Sequence, residues 1–378
     1  MQIKNSNILN RLLYIYVLFL FSGVVSCQNM RGSADGALTH LEGVVEDSTG
    51  ISLSNIFVEW NGQRAETDQY GRFSFESVHT GHDKNNLIVK LHGPEGTGQY
   101  RINSRDLKEL AVFEYPVITE IILLHDNDLH FNYNHRNQFE SRVKEIRAQN
   151  DNVWLMNAGD TFVRHADRWA VSDTAYYAEN SRLIIETMNE VGYDVSSPGN
   201  HEMDYVGNFT DESLRLAEFP FVNANTDIAT IKLPQHKPFT VFETTNGLSI
   251  AILGHSTGNY SEKGAISRNP VETTQQYLNL DRENDLFVAL THIGLTQDKA
   301  LAEGVPELDV IIGGHSHTFL EEAIYVNGVL IAHAGGPPAR HQVDPEWPKY
   351  LGIVKLVLMN GEVIEKSGRV ITFDSSTE

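Results

Sequence analysis

"VIIGGHSHTF", residues 310–319, sends a short apolar run through two glycines into two histidines, His315 and His317, with one serine between them. Side chains on a strand alternate between faces, yet both imidazoles lie past the apolar run, where Gly313 and Gly314 let the backbone curl. Alone, an H-x-H pair is a weak sign of a metal site, because the chain carries 16 histidines. Its meaning depends on whether other strands deliver partners.

Four others do. "IILLHDNDLH" (121–130) ends in Asp128 and His130, and "VWLMNAGD" (153–160) ends in Asp160. "YDVSSPGNHEMD" (193–204) brings Asn200, His201, Glu202 and Asp204, and "LFVALTHIG" (286–294) brings His292. Core packing would not choose carboxylates and imidazoles for these positions. The apolar strands, with "SIAILGHS" (249–256), alternate with helix-like stretches such as "SRLIIETMNEVG" (181–192) and "TQDKALAEGV" (296–305). Continuous apolar strands need cover on both faces, which predicts an α/β fold of packed layers from Ile121 onward. In such folds ligands bind beyond the carboxyl ends of the strands, so the five ends should converge.

The converging groups offer oxygen and imidazole but no sulfur. That set suits Mn²⁺, Fe²⁺, Co²⁺ or Zn²⁺ better than Ca²⁺ or Cu⁺. About seven ligands are too many for one tetrahedral ion and suit two ions roughly 3.5–4 Å apart that share a carboxylate and a water. Composition agrees: 41% apolar and 21% charged residues describe an ordinary globular chain. Fifty acidic against 29 basic residues, a formal charge of −21, argue against a nucleic-acid polymer as partner.

With these motifs in place the chain resembles the calcineurin-like metallophosphoesterases: D-x-H, G-D, G-N-H-E, a lone histidine in "THIGL", then G-H-x-H. "GNHEMD", "THIGLTQDKALAE" and "IIGGHSHT" look most like the catalytic domain of the 5'-nucleotidase and UDP-sugar hydrolase group. The resemblance covers about residues 120–375 and implies a four-layer α/β/β/α sandwich of two mixed sheets. It implies that Asp128, His130 and His317 hold one divalent metal ion and Asn200, His292 and His315 a second, with Asp160 bridging. It further implies phosphoester hydrolysis by a metal-bound hydroxide, with His201, oriented by Asp204, acting on the transferring phosphoryl or the leaving oxygen. Glu202 belongs to the same motif, where it would support the ligands. Arg164, His165, Arg168 and Arg340 are candidate phosphate contacts. The family's glycine after "NHEFDY" is Val206 here, with Gly207 one step on. The 5'-nucleotidases carry a further C-terminal domain whose aromatic side chains stack the nucleobase. With the sequence ending at Glu378, the expectation is a broad enzyme for small phosphomonoesters. Alternatives are a 5'-nucleotidase, a cyclic-nucleotide or nucleotide-sugar phosphodiesterase, and a retired lipoprotein that only binds.

The N-terminal third reads differently. Lys4 and Arg11 precede an uncharged apolar run, Leu12 to Val25, laid out as a secretory signal. "VVSC" at its end resembles the lipobox of bacterial lipoproteins, and Cys27 is the only cysteine, which excludes internal disulfides. The expectation is a signal over 1–27 with Cys27 lipidated, a tether over 28–39, and a chain anchored in the bacterial cell envelope, periplasmic or outward-facing. Residues 40–117 alternate in short segments ("LEGVVED", "NIFVEWNG", "GRFSFESV", "NLIVKLHG") broken by turn residues, which predicts a small all-β module. Gly43, the Asp47/Gly50 turn, Leu53, Thr67-Asp68 and Gly71-Arg72-Phe73 resemble the carboxypeptidase regulatory-like, immunoglobulin-like β-sandwiches. The metallophosphoesterase domain is expected over 118–378.

Overall fold

The computed structural model describes residues 40–46, 51–60, 63–76, 87–93, 96–102, 111–114, 117–162, 174–204, 212–227, 236–257, 259–260, 265–336 and 348–375. Cys27 and the signal, the tether, Arg164, His165, Arg168, Val206, Gly207, Arg340 and the side chain of Asp204 lie outside the described residues. The chain divides into two compact units, Met1–Ile118 and Thr119–Glu378.

In the first unit, β1 (His40–Glu46), β2 (Phe57–Trp60), β3 (Gln63–Glu66), β4 (Arg72–Glu76), β5 (Leu87–Gly93), β6 (Gly96–Ile102) and β7 (Ala111–Glu114) form two sheets, ordered β4-β1-β7 and β3-β2-β5-β6. Of the residues singled out in the sequence, Thr67 and Asp68 act at a turn, while Asp47 and Gly50 lie outside the described residues. Thr67 Oγ1 donates to Leu53 O at 2.7 Å and accepts from Ile56 N at 3.0 Å. Asp68 Oδ1 accepts from Tyr70 N and Arg72 N at 2.8 and 2.9 Å, closing an Asx turn ahead of β4.

The second unit starts within β8 (Ile118–Asp126), which leads to α1 (Arg136–Gln149), β9 (Val153–Asn157), α2 (Thr174–Val191), β10 (Val195–Ser196) and the short α3 (Asn200–Asp204). After β11 (Phe221–Val222), β12 (Thr226–Asp227) and β13 (His236–Lys237), the chain builds β14 (Phe239–Glu243), β15 (Ser249–Ser256), β16 (Asn259–Tyr260) and β17 (Ala265–Ser267). Helices α4 (Pro270–Gln275) and α5 (Asn279–Glu283) precede β18 (Leu286–His292), α6 (Leu295–Gly304) and β19 (Val310–Gly313). The remaining strands are β20 (Ile324–Val326), β21 (Val329–His333), β22 (Lys349–Met359) and β23 (Glu362–Phe373). One sheet runs β13-β11-β10-β9-β8-β22-β23 and another β14-β15-β18-β19-β21-β20, while β12, β17 and β16 make a small third sheet.

Alternation along the strands explains the layering. On β8, Ile121 and Leu123 join Val288, Leu290, Val310 and Ile312 in a core between the two large sheets. Their neighbours Ile122 and Leu124 face the other way, against Phe139, Val143 and Ile146 of α1 and Ile184, Ile185 and Met188 of α2. Phe287, Ala289 and Ile311 likewise meet Leu301, Ala302 and Val305 at α6. Each central strand is buried on both faces, which is why it reads as an unbroken apolar run. The result is the expected α/β/β/α sandwich of mixed sheets. Burying a Leu or Ile side chain is worth about 1.5–3 kcal/mol, and all seven residues of β18 are buried.

Strands β8, β9 and β10 are mutually parallel, as are β15, β18, β19 and β21. Their carboxyl ends therefore share one edge of each sheet. That edge carries the chemistry.

Candidate metal centre

The five strand ends meet. Among the described residues, three groups could each hold a cation: Asp128, His130 and His317; Asp160, His292 and His315; and His130, Asp160 and His201. Asn200 joins the second, with its Oδ1 2.8 Å from His315 Nδ1. The backbone bends to allow this. Asp128, His130, Phe131, Asp160, His315 and His317 all have φ between 46° and 76°. Left-handed backbone in non-glycine residues costs on the order of 1–3 kcal/mol each and clusters where function demands it. The turns let side chains two residues apart point to the same place.

The donors are electron-rich and turned inward. His130 donates its Nδ1 proton to Phe162 O at 2.8 Å, which leaves the Nε2 lone pair facing His317 Nε2 at 3.3 Å and Asp128 Oδ1 at 3.8 Å. His292 donates Nδ1 to Ala158 O at 2.6 Å, so its Nε2 aims at Asp160 Oδ2, 3.2 Å away. Neither His292 Nε2 nor Asp128 Oδ1, both buried, has a hydrogen-bond partner. Carbonyl-fixed rings whose inner nitrogens converge on buried carboxylates are the arrangement a divalent cation requires. The residues fit that group.

Ionisation follows the same logic. Burial, with His201 and His317 as like-charged neighbours, pushes His130 down to about 3, which keeps the imidazole neutral. Burial opposes charge on His292 too, but the Asp160 and Asp128 carboxylates push it up to about 10. Burial would raise Asp160, yet His292 and His201 hold it well below the usual carboxylate range. Without a cation, then, a proton on His292 neutralises the carboxylates across neutral pH and is lost only as pH rises through about 10. A cation held by His292 would have to displace it, so its binding would release a proton. Between about pH 6 and 8 the apparent dissociation constant for Mn²⁺ should fall about tenfold per pH unit for each proton displaced. Calorimetry in buffers of different ionisation enthalpy measures that number, and a pH-independent affinity would contradict the proton on His292.

Two residues brace the cluster. Glu202 accepts the backbone N–H groups of Gly199 at 2.6 Å, Phe162 at 3.0 Å and Asp160 at 3.1 Å. Burial and the Asp160 charge push Glu202 up to about 7, against the N–H groups that favour its anion. This pins the Asp160 turn to α3, and Gly199 is required there because a Cβ would lie 2.1 Å from Asp160 Oδ1. Asn127, which sequence reading passed over inside "HDND", donates to Asp128 Oδ2 at 2.6 Å and Gly335 O at 2.7 Å. It also accepts from Ala334 N at 2.9 Å, tying β8 to the end of β21. Its only sequence signal was its place beside Asp128.

His201 lies against the cluster, with Nε2 3.6 Å from Asp160 Oδ2 and its backbone N–H donating to Asp160 Oδ1 at 2.8 Å. Its ring stands edge-on to His130, 5.3 Å between centroids.

Comparison with known proteins agrees with this geometry. The calcineurin-like phosphoesterase family matches residues 122–319, more than half of the chain. A 5'-nucleotidase of Diplobatis ommata is 28% identical over 295 residues, 68% of this chain and 49% of that protein. The uncharacterized metallophosphoesterase YunD of Bacillus subtilis (strain 168) is 30% identical over 224 residues, 56% of this chain and 46% of YunD. A 5'-nucleotidase precursor from Thermus thermophilus shares the fold, with a TM-score of 0.54 at 21% identity over 68% of this chain and 55% of that one. The chain spans about half the length of the curated 5'-nucleotidase it matches.

Proposed function

Because the chain belongs to the calcineurin-like phosphoesterases, hydrolases of phosphoester bonds, we propose that it cleaves small phosphomonoesters at a centre of two divalent ions, Mn, Fe, Zn or Co. Asp160 carries the reading: it falls in a group with His292 and His315 and in another with His130 and His201. Asp128, His130 and His317 would hold one ion and Asn200, His292 and His315 the other, with Asp160 between them. Two such ions would lower the pKa of a shared water and neutralise the phosphoryl oxygens. His201, for which Asp204 is the proposed orienting partner, would face the phosphoryl group and stabilise its charge or protonate the leaving oxygen. Arg164 and Arg340 are candidate anion contacts.

A second reading, hydrolysis of nucleoside 5'-monophosphates, is favoured by the 5'-nucleotidase among the similar proteins. A panel of kcat/KM values on glycerol phosphate, ribose 5-phosphate, nucleoside monophosphates and an aryl phosphodiester separates the two. A spread within about tenfold, roughly 1.4 kcal/mol, supports the broad enzyme, and a preference of several hundredfold for a nucleotide supports the narrow one. A metal-loaded chain inert on every ester would leave only a binding protein.

We also propose that Cys27 is lipidated and holds the chain at the bacterial envelope, since the sole cysteine closes the apolar N-terminal run. Among the described residues no helix is long and apolar enough to cross a membrane. Cys27→Ala should move the protein to the soluble envelope fraction with its activity intact. Equal membrane association of variant and wild type would refute the anchor.

A further inference from the structure

Behind the centre runs a chain of side chains to which no role has been given. Thr291, Asp298 and His333 are all 0% exposed. Thr291 Oγ1 donates to Asp298 Oδ1 at 2.6 Å, and His333 Nε2 donates to Asp298 Oδ2 at 2.7 Å. Leaving a buried carboxylate unpaired is costly. Here both oxygens are occupied, and Asp298 sits in the first turn of α6, where the peptide dipoles favour negative charge. The carboxylate is therefore fixed in place.

What it touches matters. Thr291 immediately precedes His292 on β18, and its carbonyl accepts the Gly314 N–H at 3.0 Å, just before His315. Gly313 lies directly over the pair: a Cβ there would fall 2.3 Å from His333 Nε2 and 2.4 Å from Asp298 Oδ2. The roots of both His292 and His315 thus rest on this one group, through Thr291 and through the backbone of Gly313–Gly314.

We infer that Asp298 is a positioning residue that, held by His333 and acting through Thr291, sets the affinity of the Asp160–Asn200–His292–His315 half of the centre for its cation. In the other half Asp128 and His130 follow β8, where Asn127 braces Asp128, and only His317 follows β19, so that half leans less on the Thr291 hydroxyl. Groups that orient metal ligands typically change affinity by about 10–100-fold when lost.

The inference rests on the two-ion reading, and the test separates them. MnCl₂ is titrated by calorimetry into the metal-free full-length chain as wild type, Thr291→Val and Thr291→Ser. The valine keeps the shape and removes the hydroxyl, while the serine keeps the hydroxyl. The expected result is two binding events in wild type. In Thr291→Val one should be weakened about 10–100-fold and the other unchanged, with wild-type behaviour in Thr291→Ser. Unchanged affinities in Thr291→Val, or equal weakening of both events with a lowered Tm in the metal-free state, would overturn it, the latter marking a merely structural role. A wild-type chain that takes up no Mn²⁺ would overturn the two-ion reading itself, and the inference with it.

Discussion

Asp160→Asn should strip the centre of its ions and stop turnover. The substitution keeps the shape, and an amide oxygen can still accept the His201 N–H that Asp160 Oδ1 accepts at 2.8 Å. What it removes is the charge beside His292 Nε2, at 3.2 Å, in the residue that shares groups with both His130 and His315. A metal centre supplies several kcal/mol of transition-state stabilisation, which at about 1.4 kcal/mol per factor of ten is on the order of 10³-fold or more in rate. His317→Ala, by contrast, removes a ligand from one group alone and should deplete mainly one ion. Two full metal equivalents in purified Asp160→Asn would end the bridging assignment.

His201→Asn should leave the metal content near wild type while kcat falls about 10²–10⁴-fold, the usual worth of one acid–base or charge-stabilising side chain. The geometry makes this a sharp test, because His201 Nε2 lies 3.6 Å from Asp160 Oδ2 and could itself be counted among the ligands. A ligand would take metal with it when removed. If His201 protonates the leaving oxygen, alkyl phosphates should suffer most and activated aryl phosphates least. Loss of an ion from the variant, or an unchanged kcat on an alkyl phosphate, would remove His201 from the role assigned to it.

The strands and their cargo could be read from residue types alone, because burial on both faces forces unbroken apolar runs such as Ile121–Leu124 and Leu286–Leu290. Carboxylates and imidazoles at their ends have no packing rationale, so the centre was legible as well. Helix α2 covers all but the last residue of the stretch 181–192 expected to be helical, and α6 spans nearly all of 296–305. Helix α1 gave little signal, since only Phe139, Val143 and Ile146 are buried in an otherwise polar segment. Strands of two residues, such as β10 and β11, are too short to show any period. The supports were hidden for a different reason. Asp298 looks like an ordinary residue of a helix first turn and His333 like the end of a strand, and only the parallel order of β18, β19 and β21 brings them together across 35 residues. Lys349 and Asp126 pair in the same concealed way, 2.8 Å apart and buried, where the Tyr193 hydroxyl also reaches Asp126. Contacts of that kind depend on topology, which no local pattern encodes.

Anomalous scattering from a crystal of the chain grown with MnCl₂ tests the central claim most directly. Two manganese peaks about 3.5–4 Å apart are expected, one against Asp128, His130 and His317 and one against Asn200, His292 and His315, with the Asp160 carboxylate between them. A single peak, or a peak coordinated by His201 Nε2, would contradict the account.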